Sequence, residues 1–344
     1  MRRLLPILCA FGALVPLAGC TTTILTIPDR VITEEFFQDA AEAVDILLVI
    51  DNSCSMDAEQ DRLSREFEAF VEFFYVANTD YHIGVTTTDM EDDGERGSLF
   101  GQTRVITRST PDPAQAFRDN VQVGVSGSGF EQGLEGARTA LSPGMTNGVN
   151  NGFLRDESEL SVIFVSDEDD ASMGTIDQFL TGFYDLKGQR NRRAFRASAL
   201  TGVHPITGQP ASCGLDPTDP FAGADDAPRY ADLVVKSGGV LRSICADDFN
   251  GVVGQMGLSA SRMTDTFRLR EEPRPETLEV VIFVPGTPEF LGDGIELPGI
   301  GLEPDGRFSW LLETDGIEHW IRFLDVDNLP PLNTRVLVTY ERKI

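Results

Sequence analysis

The chain has 344 residues, a formal charge of -27 and 41% apolar residues. That is more than one hydrophobic core usually organises, so one large domain and a smaller one are expected. Charge of this sign repels phosphates, which excludes strong binding to nucleic acid or bare anionic lipid and makes cations the natural counter-partners.

At the N-terminus, Arg2 and Arg3 precede an uncharged apolar run over residues 4–17. The run is too short for a permanent bilayer-spanning helix and reads, over residues 1–19, as a signal peptide. It ends in Leu17-Ala18-Gly19-Cys20, which resembles the lipobox of bacterial lipoproteins. The alternative is an ordinary secretory signal with a chance cysteine. The resemblance implies a lipidated Cys20 as first residue of the mature chain, anchored by more than one acyl chain. With Thr21 rather than Asp after it, it also implies the outer membrane of a Gram-negative cell envelope, facing either the periplasm or the exterior.

Residues 20–42 carry threonines, Pro28 and mixed charge without a sustained period, and are expected as a tether. Val44-Asp45-Ile46-Leu47-Leu48-Val49-Ile50 then suits a parallel strand buried on both faces. A helix follows, with Leu63, Phe67, Phe70, Val71 and Phe74 at spacings of three and four. Strands are expected at 81–88, 160–166, 194–200 and 239–244, and helices at 113–120, 130–141, 175–186 and 230–236. This alternation predicts an α/β fold, a doubly wound and mostly parallel sheet over residues 43–267. Beyond Phe267 the helical period stops. Strands at 277–284, 307–313, 319–323 and 334–340, between turns rich in Gly, Pro, Asp and Asn, predict a small C-terminal β-sandwich over residues 268–344.

Sites in doubly wound sheets sit at the carboxyl ends of strands. Directly after the first strand comes Asp51-Asn52-Ser53-Cys54-Ser55. One carboxylate and two hydroxyls are hard oxygen donors, suited to a small divalent ion such as Mg²⁺. Two later segments return to the same sheet edge. An expected strand at 121–125 leads into Ser126-Gly127-Ser128-Gly129-Phe130-Glu131, and Val162-Ile163-Phe164-Val165 leads into Ser166-Asp167-Glu168-Asp169-Asp170.

Together these segments resemble the von Willebrand factor type A family over residues 44–267. Its metal-ion-dependent adhesion site combines D-x-S-x-S, a Thr or Ser from a second loop, and an Asp after a later strand. The resemblance implies Asp51, Ser53, Ser55, Ser128 and Asp167 as metal ligands, with Ser126 and Glu131 as alternatives to Ser128. It implies Mg²⁺, or Ca²⁺ or Mn²⁺, with an open coordination position that an acidic group of a protein or extracellular partner fills. Here Ser replaces the usual Thr, and Ser166-Asp167-Glu168 stands where the family has Thr-Asp-Gly.

Plainer readings apply to neighbouring residues. Asp169 and Asp170 suit a solvated acidic loop, and Ser128 with Glu131 also fits a helix capping box. The glycine loop at 127–133 is a poor dinucleotide cradle, because its spacing is G-x-G-x-x-x-G and it lies far from the first strand. Cys54 suits a small, semi-buried thiol rather than a nucleophile. In an exported chain Cys213 and Cys245 are expected to form a disulfide, with Cys54 as another available partner. Trp310 and Trp320 suit core packing. The function expected is a membrane-anchored binding or adhesion module. Its rivals are a metal-dependent hydrolase in which the ion activates water, and a structural envelope protein without metal.

Overall fold

The structure is a computed structural model. It describes residues 31–76, 78–91, 96–189, 191–204, 207–215, 223–287, 292–297, 309–315, 318–323, 329–331 and 333–343. Cys20 and its surroundings lie outside these residues.

The described strands are β1 (Val31–Phe37), β2 (Ala43–Ile50), β3 (Asp80–Thr87), β4 (Glu159–Val165), β5 (Phe195–Thr201), β6 (Leu241–Ser243), β7 (Thr266–Leu269), β8 (Glu279–Phe283), β9 (Ile295–Leu297), β10 (Trp310–Asp315), β11 (Glu318–Phe323) and β12 (Arg335–Glu341). The helices are α1 (Asp57–Ser64), α2 (Phe67–Val76), α3 (Pro113–Val121), α4 (Gly133–Ala140), α5 (Pro143–Thr146), α6 (Ile176–Lys187), α7 (Pro228–Ser237) and α8 (Phe249–Ser261).

A five-stranded sheet of order β3-β2-β4-β5-β6, parallel throughout, forms the centre of a mixed α/β unit. Successive side chains of a strand point to opposite faces, and β2 is apolar on both. Ile46, Leu48 and Ile50 pack with Phe70 and Phe74 of α2, Phe117 of α3 and Met256 of α8. Leu47 and Val49 pack with Leu134 of α4, Phe179 of α6 and Leu233 of α7. Helices therefore cover both faces, which is why β2 and β4 read as near-continuous hydrophobic runs, interrupted only near their starts by Asp45 and by Glu159 and Ser161.

The C-terminal strands form two antiparallel sheets, β1-β12-β8-β9 and β10-β11-β7. They share one core that includes Val280, Ile282, Trp310, Ile321, Val336 and Tyr340. Phe73, Leu258 and Met263 of the α/β unit belong to the same core. Trp310 is fully buried and Trp320 half-buried.

Four expectations need correction. Residues 31–37, expected within a tether, form β1, which pairs with β12 from Val31↔Glu341 to Phe37↔Arg335. The fully buried residue of this strand is Glu34, which accepts the Tyr340 hydroxyl at 2.6 Å and the Arg270 N–H at 2.9 Å. A charged residue at the inward position hid the alternation from a hydrophobic reading. No strand forms at 121–125, because Val121 ends α3 and the chain is irregular from there to α4. The first long helix is divided into α1 and α2 by a turn at Arg65 and Glu66. β7 begins at Thr266 and pairs with β11, so the second unit starts slightly ahead of residue 268.

Hydrophobic periodicity does not reveal α8. Gly251, Gly254 and Gly257 dilute its helix propensity. A Cβ built at Gly257 would stand 2.1 Å from the Phe70 carbonyl oxygen, so glycine is what lets α8 lie against α2.

Candidate functional site

Asp51 leaves β2 at its carboxyl end, where its N–H donates to the Val165 carbonyl at 2.9 Å. The chain turns back at once: the Ser53 N–H donates to Asp51 Oδ1 at 2.7 Å, and a single 3₁₀ turn, Cys54–Met56, leads into α1. This turn places the Ser53 and Ser55 hydroxyls 3.1 Å apart. Gln60 of α1 holds the turn in place, its amide donating to the carbonyls of Asp51 at 2.9 Å and Gly124 at 2.8 Å. The second loop docks through the Gly127 N–H, which donates to the Asn52 carbonyl at 2.8 Å. A Cβ at Gly127 would meet the Asn52 side chain at 2.3 Å, so only glycine permits this approach.

The third loop follows β4. Ser166 donates its hydroxyl to Asp51 Oδ2 at 2.7 Å and accepts the Glu168 N–H at 3.1 Å. Asp167 is buried, and among the described residues its Oδ1 has no hydrogen-bond partner, although its carboxyl receives the Ser55 hydroxyl. Burial, then the nearby charge of Asp51, pushes the Asp167 carboxyl up to about 7, while the Ser55 hydrogen bond works the other way. Asp51, Ser53, Ser55 and Asp167 thus converge at one rim of the sheet.

The middle residues are arranged differently from one another. The Ser128 hydroxyl donates to Glu91 Oε2 at 3.1 Å and accepts the Phe130 N–H at 3.0 Å. Its own N–H goes to Asp89 Oδ2 at 3.1 Å. It makes no hydrogen bond to the Asp51 group, and Ser126 is exposed. Glu131, in contrast, is 1% exposed and lies within hydrogen-bonding reach of Asp51. One of its oxygens accepts the buried Thr88 hydroxyl; the other, Oε1, has no partner among the described residues. Burial first, then the Asp51 charge, pushes the Glu131 carboxyl up to about 9, with the Thr88 hydrogen bond opposing. Glu168 is also raised, by burial and then by Asp51 and Asp225.

The acidic run after Asp167 is not the solvated loop expected of it. Asp170 is buried, accepts the Leu134 N–H at 2.9 Å and the Ser172 hydroxyl at 2.7 Å, and pairs with Arg229 Nε at 3.0 Å. Asp169 accepts the Arg229 N–H at 3.0 Å. The two carboxylates therefore satisfy unpaired amides at the first turns of α4 and α7, where an anion also favours the helix dipole. Nor does Ser128 cap α4, which begins at Gly133 with no side-chain cap at Gln132.

These loops floor and wall a cleft of about 330 Å³ lined by Ser53, Ser55, Asp167, Glu168, Leu215 and Asp225, among others. Cys54 also lines it, as an exposed free thiol rather than a semi-buried one. The wall that carries Leu215 and Asp225 is pinned by a Cys213–Cys245 disulfide with Cα atoms 6.1 Å apart. It is pinned also by paired backbone hydrogen bonds between Cys213 and Ala224. Sequence reasoning missed Thr88, Ser166 and the capping carboxylates. Position alone could have suggested Ser166 and Thr88, since each is the first residue beyond a buried parallel strand.

No protein-family model matches the chain, and no curated protein matches it. Among solved structures, it is similar to a von Willebrand factor type A protein from Catenulispora acidiphila, with 11% identity over 91% of this chain and 65% of that one, TM-score 0.35. It is similar also to the pilus adhesin SpaC from Lactobacillus rhamnosus GG in an open conformation, with 13% identity over 90% of this chain and 40% of that one, TM-score 0.37. A third is proximal thread matrix protein 1 from the mussel byssus, with 12% identity over 70% of this chain and 50% of that one, TM-score 0.34. The chain spans less than two thirds of the length of each. At these identities and scores the likenesses lend no weight to any function, which must come from the atoms of the cleft.

Proposed function

We propose that the chain is a binding module of the von Willebrand type A kind, which engages a protein or extracellular ligand through a divalent cation held by the loops around Asp51. The observation that carries this reading is the convergence of two buried carboxylates and two hydroxyls at one rim of the sheet, with Asp167 Oδ1 unpartnered among the described residues. A buried carboxylate oxygen without a donor is costly, and a cation at this point would relieve that cost together with the repulsion between Asp51 and Asp167.

The donor set fits such an ion. Asp51, Ser53, Ser55 and Asp167 supply hard oxygens, the ligands that Mg²⁺, Ca²⁺ and Mn²⁺ prefer. Among the described residues no three His, Cys, Asp or Glu side chains form a ready metal cluster, so the fit depends on hydroxyls as well as carboxylates. When bound, the ion supplies electrostatic attraction for an oxygen of the partner. Two aspartates balance a divalent charge, and such a centre accepts the acidic group that the resemblance implies.

Binding rather than turnover is the better use of this cleft. Its described lining contains no His, Lys or Arg, so no cationic clamp for a phosphoester stands beside the carboxylates. Localisation follows the N-terminal sequence: a lipid-anchored protein of the cell envelope, at the outer membrane of a Gram-negative bacterium, tethered through Cys20. Among the described residues no helix is long and apolar enough to cross a membrane.

The test is a pull-down from envelope extract with the mature protein as bait, in Mg²⁺ or Ca²⁺ and again in EDTA, beside an Asp51→Ala bait. Capture that needs both the ion and Asp51 supports the reading. Capture indifferent to both overturns it.

A further inference from the structure

The cleft carries two carboxylates outside the proposed ligand set. The Asp225 N–H donates to the Asp167 carbonyl at 2.8 Å, which holds Asp225 against the peptide that joins Asp167 to Glu168. Glu168 is fixed in turn, its N–H donating to the Ser166 hydroxyl at 3.1 Å. Both side chains line the cleft, and no Lys, Arg or His of the described lining answers either. Asp225 is exposed and Glu168 half-buried, so both can be reached from outside. Asp167, joined to both, is 5% exposed, and its Oδ1 has no partner among the described residues. A buried oxygen in that state sets this cleft apart from a hydrated acidic surface, because it is stabilised only when positive charge or a donor arrives. An ion at Asp51 and Asp167 would offset those two charges and leave Glu168 and Asp225 unanswered.

An apolar contact stands beside them. Leu215 lines the same cleft at 64% exposure. The paired hydrogen bonds between Cys213 and Ala224 bring the segments of Leu215 and Asp225 side by side, and the Cys213–Cys245 disulfide anchors them. One exposed leucine is ordinary by itself. On a wall already held rigid, covering it costs little ordering.

We propose that this wall docks a protein segment that presents a Lys or Arg next to an apolar side chain, the basic group lying against Glu168 and Asp225 and the apolar one against Leu215. The contact uses no proposed ligand of the ion, so it goes beyond the metal-dependent reading and stands or falls separately from it. Charge complementarity carries it: two accessible carboxylates without a cation favour a basic partner and disfavour an acidic one. A partner that gives its acid to the ion brings a basic residue beside that acid, which offsets the charge the ion leaves. The chain's charge of -27 attracts basic segments in general, so the test must separate this wall from the whole surface.

An array of short synthetic peptides of randomised sequence, probed with the labelled full chain in Mg²⁺ and again in EDTA, supplies that test. The variants are Glu168→Gln with Asp225→Asn, Leu215→Ser, Asp225→Lys, and Glu279→Gln with Glu296→Gln, which removes the same charge from exposed positions of β8 and β9. The native chain should retain peptides in which Lys or Arg adjoins Leu, Ile, Met or Phe. Their binding should fall ~10-fold in the Glu168 and Asp225 double variant and ~3-fold in Leu215→Ser, and hold in the β8 and β9 double variant. Asp225→Lys should shift the selection toward acidic peptides, a gain that misfolding cannot produce. Equal loss in both double variants means attraction by net charge alone and overturns the inference. A selection without basic residues, or one that Asp225→Lys leaves unchanged, also overturns it. Acidic peptides captured only in Mg²⁺, with no basic preference, refute the inference and leave the metal-dependent reading standing. A basic selection that persists in EDTA and follows Glu168 and Asp225 supports the inference whatever becomes of the ion.

Discussion

The Ser166 hydroxyl donates to Asp51 Oδ2 at 2.7 Å, and this one hydrogen bond joins the carboxyl ends of two adjacent parallel strands. Both residues are fully buried. The bond orients the carboxylate so that Oδ1 faces the Ser53 N–H. A hydrogen bond to a buried charge contributes about 1.5–3 kcal/mol. Ser166→Ala should lower stability by about that amount in urea denaturation, and should weaken divalent-ion binding ~10-fold by leaving Asp51 free to rotate. A variant with native stability and native affinity would show that Asp51 needs no such support.

Asp170 is the hinge of a different structure, the junction of α4, α7 and the third loop. Asp170→Ala removes the acceptor for the Leu134 N–H and leaves the Arg229 guanidinium without this carboxylate. Breaking a buried pair costs about 3–5 kcal/mol, and less where one partner is partly solvated, as Arg229 is at 30% side-chain exposure. A loss of about 2–3 kcal/mol in unfolding free energy, measured by urea denaturation, is therefore expected. Asp170→Asn, which keeps one acceptor for Leu134, should recover part of it. A loss under about 0.5 kcal/mol, the usual range for a surface substitution, would restore the view of this residue as solvated.

The contrast between Asp167 and Asp170 shows what local sequence carries and what it does not. A buried apolar run that ends in an aspartate, directly at Asp51 and after Ser166 at Asp167, marks the carboxyl end of a parallel strand, so the two could be brought together from strand order alone. What Asp169 and Asp170 do depends on which helix starts lie opposite them, and those starts come from residues far away in the chain. The same applies to the middle loop. Spacing from Leu134 favours Ser128, yet no strand forms at 121–125 to fix the loop, and its orientation comes from Gly127 against Asn52 and Gln60 against Gly124. The double-sided α/β sheet and most C-terminal strands were legible because their periods are apolar. β1 was not, because its buried position is Glu34, and α8 was not, because its packing face is built on glycine.

Metal-free stability should fall as pH rises. Glu131 is raised to about 9 and Asp167 to about 7, in both cases chiefly by burial and then by Asp51. Carboxyls whose folded values lie above the unfolded ones bind more protons when folded, so the stability they add is full below the unfolded value. It drains away as pH climbs through the folded one. In EDTA, the urea midpoint should therefore decline from about pH 5, just above the unfolded carboxyl values, toward pH 9, the upper end of this window. Saturating Ca²⁺ should flatten the decline, because the ion replaces the protons. A midpoint that rises across this range in EDTA would contradict the electrostatics of the cleft.

The most direct measurement is anomalous diffraction from a crystal of the chain grown with Mn²⁺, an ion whose scattering marks its place without assumption. A single strong peak is predicted beside the Ser53 and Ser55 hydroxyls, with carboxylate oxygens of Asp51, Asp167 or both in its inner or water-bridged coordination, direct ligands lying at roughly 2.0–2.4 Å. A peak elsewhere, with none between these loops, would contradict the account.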